Sequence, residues 1–211
     1  MSTMRARIAI VGGTGAFGRA VAARLRDLGH DVAIGSRDEA RAQERAAVLG
    51  VRGGTNADVV RDADLVVLAV QSSAAIDTAR ELADAIGERP VLCVASDLRF
   101  TDAGVVPARS SGSVAEDVAA LVRGPVVSGL QAIPAAHLAL PDPPDQDALV
   151  CGDDQEAKEL VLGLAEHLVA GRALDAGPLA NARALEDMTA VIIHVNRRYR
   201  TVAGLRLTGL K

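Results

Sequence analysis

The chain has 211 residues, 49% of them hydrophobic and 24% charged, with a formal net charge of -4 at pH 7. That is enough for one substantial core with a small appended region. The mild acidity, with no basic stripe beyond Arg197-Arg198 and no interleaved aromatics, argues against nucleic acid, and no apolar run is long enough to span a membrane.

Ile8-Ala9-Ile10-Val11 is a continuous apolar run and predicts a buried strand. It leads directly into Gly12-Gly13-Thr14-Gly15-Ala16-Phe17-Gly18 and then into a helical pattern from Arg19 to Leu25. A strand, a glycine-rich turn and a helix N-terminus in this order cradle a dinucleotide pyrophosphate. Gly13 is expected to make the tight turn, Gly15 to leave room for the phosphates and Gly18 to let the helix approach the strand. Backbone N–H groups then face the anion at the positive end of the helix. The competing reading of the string is a glycine turn with no ligand.

Asp31 to Gly35 predicts the next strand, and an NAD site would place a carboxylate at its end. Here the end is Gly35-Ser36-Arg37, with Arg41 one helical turn on. One hydroxyl and two guanidiniums suit the 2′-phosphate of NADP, so NADP(H) is expected over NAD. An ordinary solvated helix start is the alternative for the two arginines.

Leu65 to Val70 predicts a buried strand, Ser73 to Ile86 a helix and Val91 to Val94 a third strand. Ser96 to Gly112 is long for a connection and reads as a functional loop. A helix from Ser113 to Val122 and a strand from Pro125 to Leu130 follow. Pro141-Asp142-Pro143-Pro144-Asp145 is an extended surface linker. Ala148 to Cys151 reads as a strand, Asp153-Asp154 as the cap of a helix reaching Val169, and Ala173 to Asp175 as a short strand. Pro178 is placed at the first position of a long apolar helix, Leu179 to Tyr199. Carrying Met188, Ala190, Val191, Ile192, Ile193 and Val195, that helix must be covered by the C-terminal part or by a second copy. The βα rhythm predicts an α/β, Rossmann-type, doubly wound parallel sheet, with an NADP-binding domain over 1–140 and a small α/β extension over 141–211.

Cys93 and Cys151 sit inside strand-like runs and are expected as buried free thiols. With no signal-peptide core at the N-terminus, a cytoplasmic protein is expected. Asp153-Asp154 reads as a helix cap, and no metal site is expected.

Several segments together resemble the NADPH-dependent reductases of coenzyme F420, an 8-hydroxy-5-deazaflavin. These are IAIVGGTGAFG, GSR with Arg41, AIDTA (75–79), VVSGLQAIPAA (126–136), VCGDD (150–154) and LDAGPLANAR (174–183). The resemblance runs over nearly the whole chain. It implies hydride transfer between NADPH and F420 and a homo-oligomer, expected as a homodimer. It assigns Thr14, Gly15 and Phe17 to the pyrophosphate turn and Ser36, Arg37 and Arg41 to the 2′-phosphate. Ile133 and Pro134 resemble an apolar platform beside the reacting rings. Independently of the resemblance, converging strand ends of a doubly wound sheet would put Gln71, Ser72, Ser96 and Gln131 around the same crevice, with Gln131 helping to position the rings and Val70 and Ala135 also expected at the cofactor site. Gln131 replaces the histidine common in the family, and Val70-Gln71-Ser72 replaces an Ile-Pro-aromatic run.

No catalytic acid is needed for such a step, because the charge of the transferred hydride spreads over a delocalised ring and positioning can drive the reaction. Tyr199, the single tyrosine, lacks a lysine four residues on. His30, His137, His167 and His194 are scattered, with His137 and His194 the better candidates for acid–base work. The alternatives are an NADPH-dependent reductase of another small acceptor and a non-catalytic NADP-sensing protein.

Overall fold

The computed structural model describes residues 5–210. Its centre is an eight-stranded sheet in the order β10-β9-β8-β5-β4-β1-β2-β3. The strands are β1 (Arg7–Val11), β2 (Asp31–Ser36), β3 (Arg52–Thr55), β4 (Leu65–Leu68), β5 (Val91–Cys93), β8 (Val126–Gly129), β9 (Ala148–Gly152) and β10 (Ala173–Asp175). Ile8 to Val11 and Leu65 to Leu68 are almost wholly buried, because helices cover both faces of a parallel sheet. On one face α1 (Ala16–Asp27) and α7 (Gln155–Leu168) pack on Ile8, Ile10, Val67 and Val127. On the other, α3 (Asn56–Arg61), α4 (Ser72–Ile86) and α5 (Val114–Ala119) pack on Ala9, Val11, Val66 and Leu68.

Two expectations about the sheet are corrected. It is not wholly parallel: β9 pairs antiparallel with β8, and β10 runs parallel to β9. The chain reverses there through a short turn, α6 (Ala135–Leu138) and the proline-rich segment, with no crossover helix to bring it back in parallel. The stretch from Ser96 to Gly112 is also not a plain loop. It forms an antiparallel hairpin of β6 (Leu98–Thr101) and β7 (Gly104–Pro107), closed across Gly104 at φ +132°. β-branched Val105 and Val106 and aromatic Phe100 supply its strand character.

Smaller differences have local causes. Pro178 is extended and precedes a 3-10 turn, Leu179–Asn181, so the final helix α8 starts only at Ala182 and runs to Tyr199. Pro144 of the linker is buried, while Pro141, Asp142, Pro143 and Asp145 are exposed. β3, α2 (Glu39–Leu49), α3 and α6 complete the chain. Gly53 in β3 has no strand-like side chain because a Cβ there would lie 2.7 Å from the Ala42 carbonyl of α2.

The chain leaves β1 toward β2 and β3, then returns to β4 on the other side of β1. The turns after β1, β4, β5 and β8 therefore meet at the C-terminal ends of the parallel strands, around the crevice where the order reverses.

Candidate active site

The glycine turn is shaped by backbone approach. The residue with positive φ is Gly12, at +80°, which corrects the placing of the tight turn at Gly13. A Cβ on Gly12 would also lie 2.7 Å from the Ala69 carbonyl. Gly13 is needed for closeness to β2, since a Cβ there would come 2.5 Å from Cβ of Ile34, and its N–H bonds the Gly35 carbonyl at 3.2 Å. A Cβ on Gly18 would meet the Gly12 carbonyl and the Gly13 Cα at 2.8 Å, so glycine there lets α1 lie on the turn.

Gly15 is different. The nearest atom to a Cβ on it is the Gly12 carbonyl at 3.3 Å, and the space beyond is open. It caps α1, whose N-terminus receives no side-chain cap and has no acidic residue in its first turn. Uncapped N–H groups beside an open space, with no carboxylate to repel a phosphate, fit a pyrophosphate.

At the end of β2, Arg37 and Arg41 are exposed, and neither makes an ion pair among the described residues. Asp38, the nearest carboxylate in sequence, accepts from Arg41 N at 3.0 Å and caps α2. Its own N–H bonds Ser36 Oγ at 3.1 Å. The two guanidiniums are thus available to an outside anion, as a 2′-phosphate would require.

Next to the turn lies a cavity of about 250 Å³, lined by Phe17, Ala69, Val70, Gln71, Ser72, Val94, Ala95, Ser96, Leu98, Gln131, Ile133 and Thr189. Phe17, expected at the pyrophosphate, lines this cavity as well. Val70, Gln71, Ser72, Gln131 and Ile133 come together here, whereas Pro134 caps α6 and neither it nor Ala135 forms part of the lining.

Leu130 turns the chain across the sheet end at φ +69°, a conformation costly for a residue with a Cβ, and it is held there by burial to 2% exposure. Gln131 follows, with its amide nitrogen donating to Ser128 Oγ at 2.7 Å and to the Cys93 carbonyl at 3.4 Å. Both N–H bonds therefore face inward, to β8 and β5.

Sequence reasoning missed Thr189, whose hydroxyl donates to the Gln131 carbonyl at 3.3 Å and lies 3.0 Å from Ser96 Oγ. It also missed Asp97, which accepts from Ser72 Oγ at 3.2 Å and sits 4.0 Å from Arg109. No short-range signal marks Thr189, because it lies on α8, 58 residues from its partner.

One turn before Thr189, Glu186 is buried and accepts from the N–H groups of Val114 and Ala115, at 3.0 and 3.2 Å. Burial pushes its carboxyl up to about 7, against the opposing pull of those two bonds and of Arg109. Cys93 and Cys151 are buried free thiols, raised to about 12 and about 11 mainly by burial. At those values they are inert at neutral pH.

Asp153 and Asp154 hold the fold together. Asp154 caps α7 through Ala157 N at 2.8 Å, and Asp153 accepts from Leu179 N at 2.9 Å. Asp175 pairs with Lys158 at 2.9 Å, and Asn181 bonds the Ala176 carbonyl at 2.7 Å. The two acidic motifs thus tie β9, α7, β10 and the start of α8 together. His30 accepts from Ala6 N at 3.3 Å, and His167 lies exposed against the Gly163 carbonyl. Neither His137 nor His194 lines the cavity.

The profile of the family described as "NADP oxidoreductase coenzyme F420-dependent" matches residues 7–96. The F420-dependent NADP reductase of Methanothermobacter thermautotrophicus is 33% identical over 100% of this chain and 98% of its own length. The reductase of the same name from Methanocaldococcus jannaschii is 33% identical over 97% of this chain and 99% of its own. This chain belongs to the F420-dependent NADP oxidoreductase family. A solved structure described as a putative F420-dependent NADP-reductase from an Arthrobacter species superposes with a TM-score of 0.84 at 26% identity, covering 97% of this chain and all of that one. Among the described residues no helix is long and apolar enough to cross a membrane.

Proposed function

We propose that the protein is an NADP-dependent oxidoreductase that transfers a hydride between NADPH and the deazaflavin coenzyme F420. The observation that carries this reading is the continuity at Phe17. The residue belongs to the turn with the uncapped helix N-terminus, and its ring lines an apolar cavity that begins where that turn ends. Relatives named for the same pair of substrates, aligned over essentially their full length, favour F420 over another acceptor and over a purely sensing role.

NADPH, when bound, supplies the hydride; this chain's residues bind and orient. Backbone N–H groups from Ala16 to Gly18 hold the pyrophosphate, and Ser36, Arg37 and Arg41 hold the 2′-phosphate. Phe17, Val70 and Ile133 flank the nicotinamide and the deazaflavin and exclude water, while Gln71, Ser72 and Ser96 offer polar groups at the rim. No acid or base lines the cavity, so rate enhancement comes from alignment of the two rings. Gln131 acts by positioning, because its N–H groups brace the turn that presents Ile133.

In this reading residues 1–140 form the dinucleotide-binding domain, and 141–211 pack on it and supply Thr189. A homodimer forms through α8, where Val191 is 55% exposed beside an apolar groove shared with Val105 and Pro107. Mixing purified protein with NADPH and oxidised F420 tests the function. The reading expects the deazaflavin chromophore to bleach with NADPH and much more slowly with NADH. Absence of bleaching with either nucleotide would overturn it.

A further inference from the structure

Arg24 lies on α1 seven residues after Phe17, two helical turns along the same face. Its guanidinium, half-buried, has no carboxylate partner among the described residues and is engaged entirely by backbone carbonyls. Nε donates to the Leu138 carbonyl at 3.1 Å, one terminal nitrogen to Pro141 at 2.8 Å, and the other to Leu140 and to Asp142, the latter at 2.6 Å. All four acceptors lie in the segment that closes α6, and α6 begins directly after Ile133 and Pro134.

The N–H groups of Ala139 and Leu140 take the Ala135 and His137 carbonyls of α6, but among the described residues no backbone N–H reaches the carbonyls of Leu138, Leu140, Pro141 and Asp142, and no glycine follows α6 to make a left-handed cap. The planar fork of Arg24 satisfies them from outside, which a lysine could do only in part. The same helix α1 thus presents Phe17 to the cavity at one end and grips the far side of the Ile133 turn two turns later. Leu138, buried to 1% exposure, packs in the same core cluster as Val21, Leu25 and Ile133, so this segment has no slack between the clamp and the wall.

We propose that Arg24 is a positioning residue for hydride transfer, which sets the distance between the dinucleotide-binding helix and the acceptor wall carrying Ile133. This inference rests on the oxidoreductase reading. It makes the width of the cavity depend on a side chain that touches neither substrate. Because the pyrophosphate turn lies at the opposite end of α1, nucleotide binding is expected to be independent of the clamp.

The experiment compares Arg24→Gln and Arg24→Lys with the unmodified protein in NADPH binding, steady-state reduction of F420 and backbone hydrogen exchange. Arg24→Gln should leave the NADPH Kd within about 2-fold, raise the KM for F420 at least 10-fold and lower kcat. It should also speed exchange of the amides of His137, Leu138, Ala139 and Leu140, which bond within α6. Arg24→Lys, with the charge but not the fork, should recover part of each effect. The proposal is overturned if KM and exchange are unchanged in Arg24→Gln, or if NADPH affinity falls in step with KM. If Arg24→Gln does not fold, the same two criteria are applied to Arg24→Lys. If the unmodified protein does not reduce F420, that failure falls on the acceptor assignment. Exchange and NADPH affinity then decide the Arg24 clamp without it.

Discussion

At the glycine turn the backbone itself makes the site: one Cβ on Gly13 would come within 2.5 Å of Ile34, and one on Gly18 within 2.8 Å of the preceding turn. Across the cavity the wall from Leu130 to Pro134 is made by side chains gathered from distant parts of the chain. Gln131 leans on Ser128 and Cys93, Thr189 reaches over from α8, and Arg24 holds the following segment from α1. A backbone site fixes its own residue types, because only glycine fits. A side-chain wall rests on contacts that can be lost one at a time. The dinucleotide half should therefore break abruptly on substitution, and the acceptor half by degrees.

The largest expected effect is at Gly15. Gly15→Val should fold, since its Cβ meets only the Gly12 carbonyl at 3.3 Å, but lose NADPH binding because the side chain fills the phosphate space. Gly18→Val should instead fail to fold stably, as its Cβ would meet two backbone atoms at 2.8 Å. Thermal melts with and without NADPH separate the two, and an NADPH-responsive melt for Gly15→Val would contradict the assigned turn.

Next is the 2′-phosphate. Arg37→Ala with Arg41→Ala should weaken NADPH binding by about 2–4 kcal/mol, the scale of charge-assisted bonds, and leave NADH nearly unchanged. Equal loss of both nucleotides by titration would show that the arginines support the fold and do not select the phosphate.

The helix that carries Thr189 adds a pH signature. Burial raises Glu186 from an ordinary 4.5 to about 7, so between those values the folded protein binds a proton that the unfolded chain has released. Stability should fall as pH rises through that window, by up to about 3 kcal/mol, and Glu186→Gln should remove that slope. Denaturant melts at pH 5 and 7.5 measure it; an unchanged slope in the variant would place the titration elsewhere. Asp147 has the opposite sign. The Arg172 guanidinium holds it down at about 2, so its contribution is present above 3.8 and is lost as pH falls toward 2.

The smallest effect is the most local. Ile133 is only 2% exposed, so a charge there would cost folding before it told anything about the cavity. Ile133→Val removes one methylene, costs about 1 kcal/mol of stability and should raise the KM for F420 a few-fold with NADPH affinity unchanged. A parallel loss of NADPH affinity would mean that this wall belongs to the nucleotide.

What could be read from the sequence follows the same division. The strand, glycine turn and helix from Ile8 to Leu25, the pair Arg37 and Arg41, and the alternation of β4, α4 and β5 carry their meaning in local order. The tight turn falls at Gly12 and not at Gly13, and adjacent glycines do not reveal which of them takes the positive φ. The hairpin at 98–107 leaves little strand signal in the sequence, because its strands have four residues each and one sits largely exposed. The reversal of β9 left no local trace, since a buried strand reads alike in either direction. Thr189, Glu186 and Arg24 escaped notice because each acts on partners 58 to 118 residues away, and no spacing rule reaches that far.

The central claim is that hydride passes directly between two rings held in one cavity. It is tested most directly by reducing F420 with NADPH carrying deuterium at nicotinamide C4 in each stereochemical position, in ordinary water. The account predicts that deuterium from one of the two positions appears on C5 of the reduced deazaflavin without dilution by solvent protons. Reduced deazaflavin with no deuterium at C5 from either labelled form would contradict it.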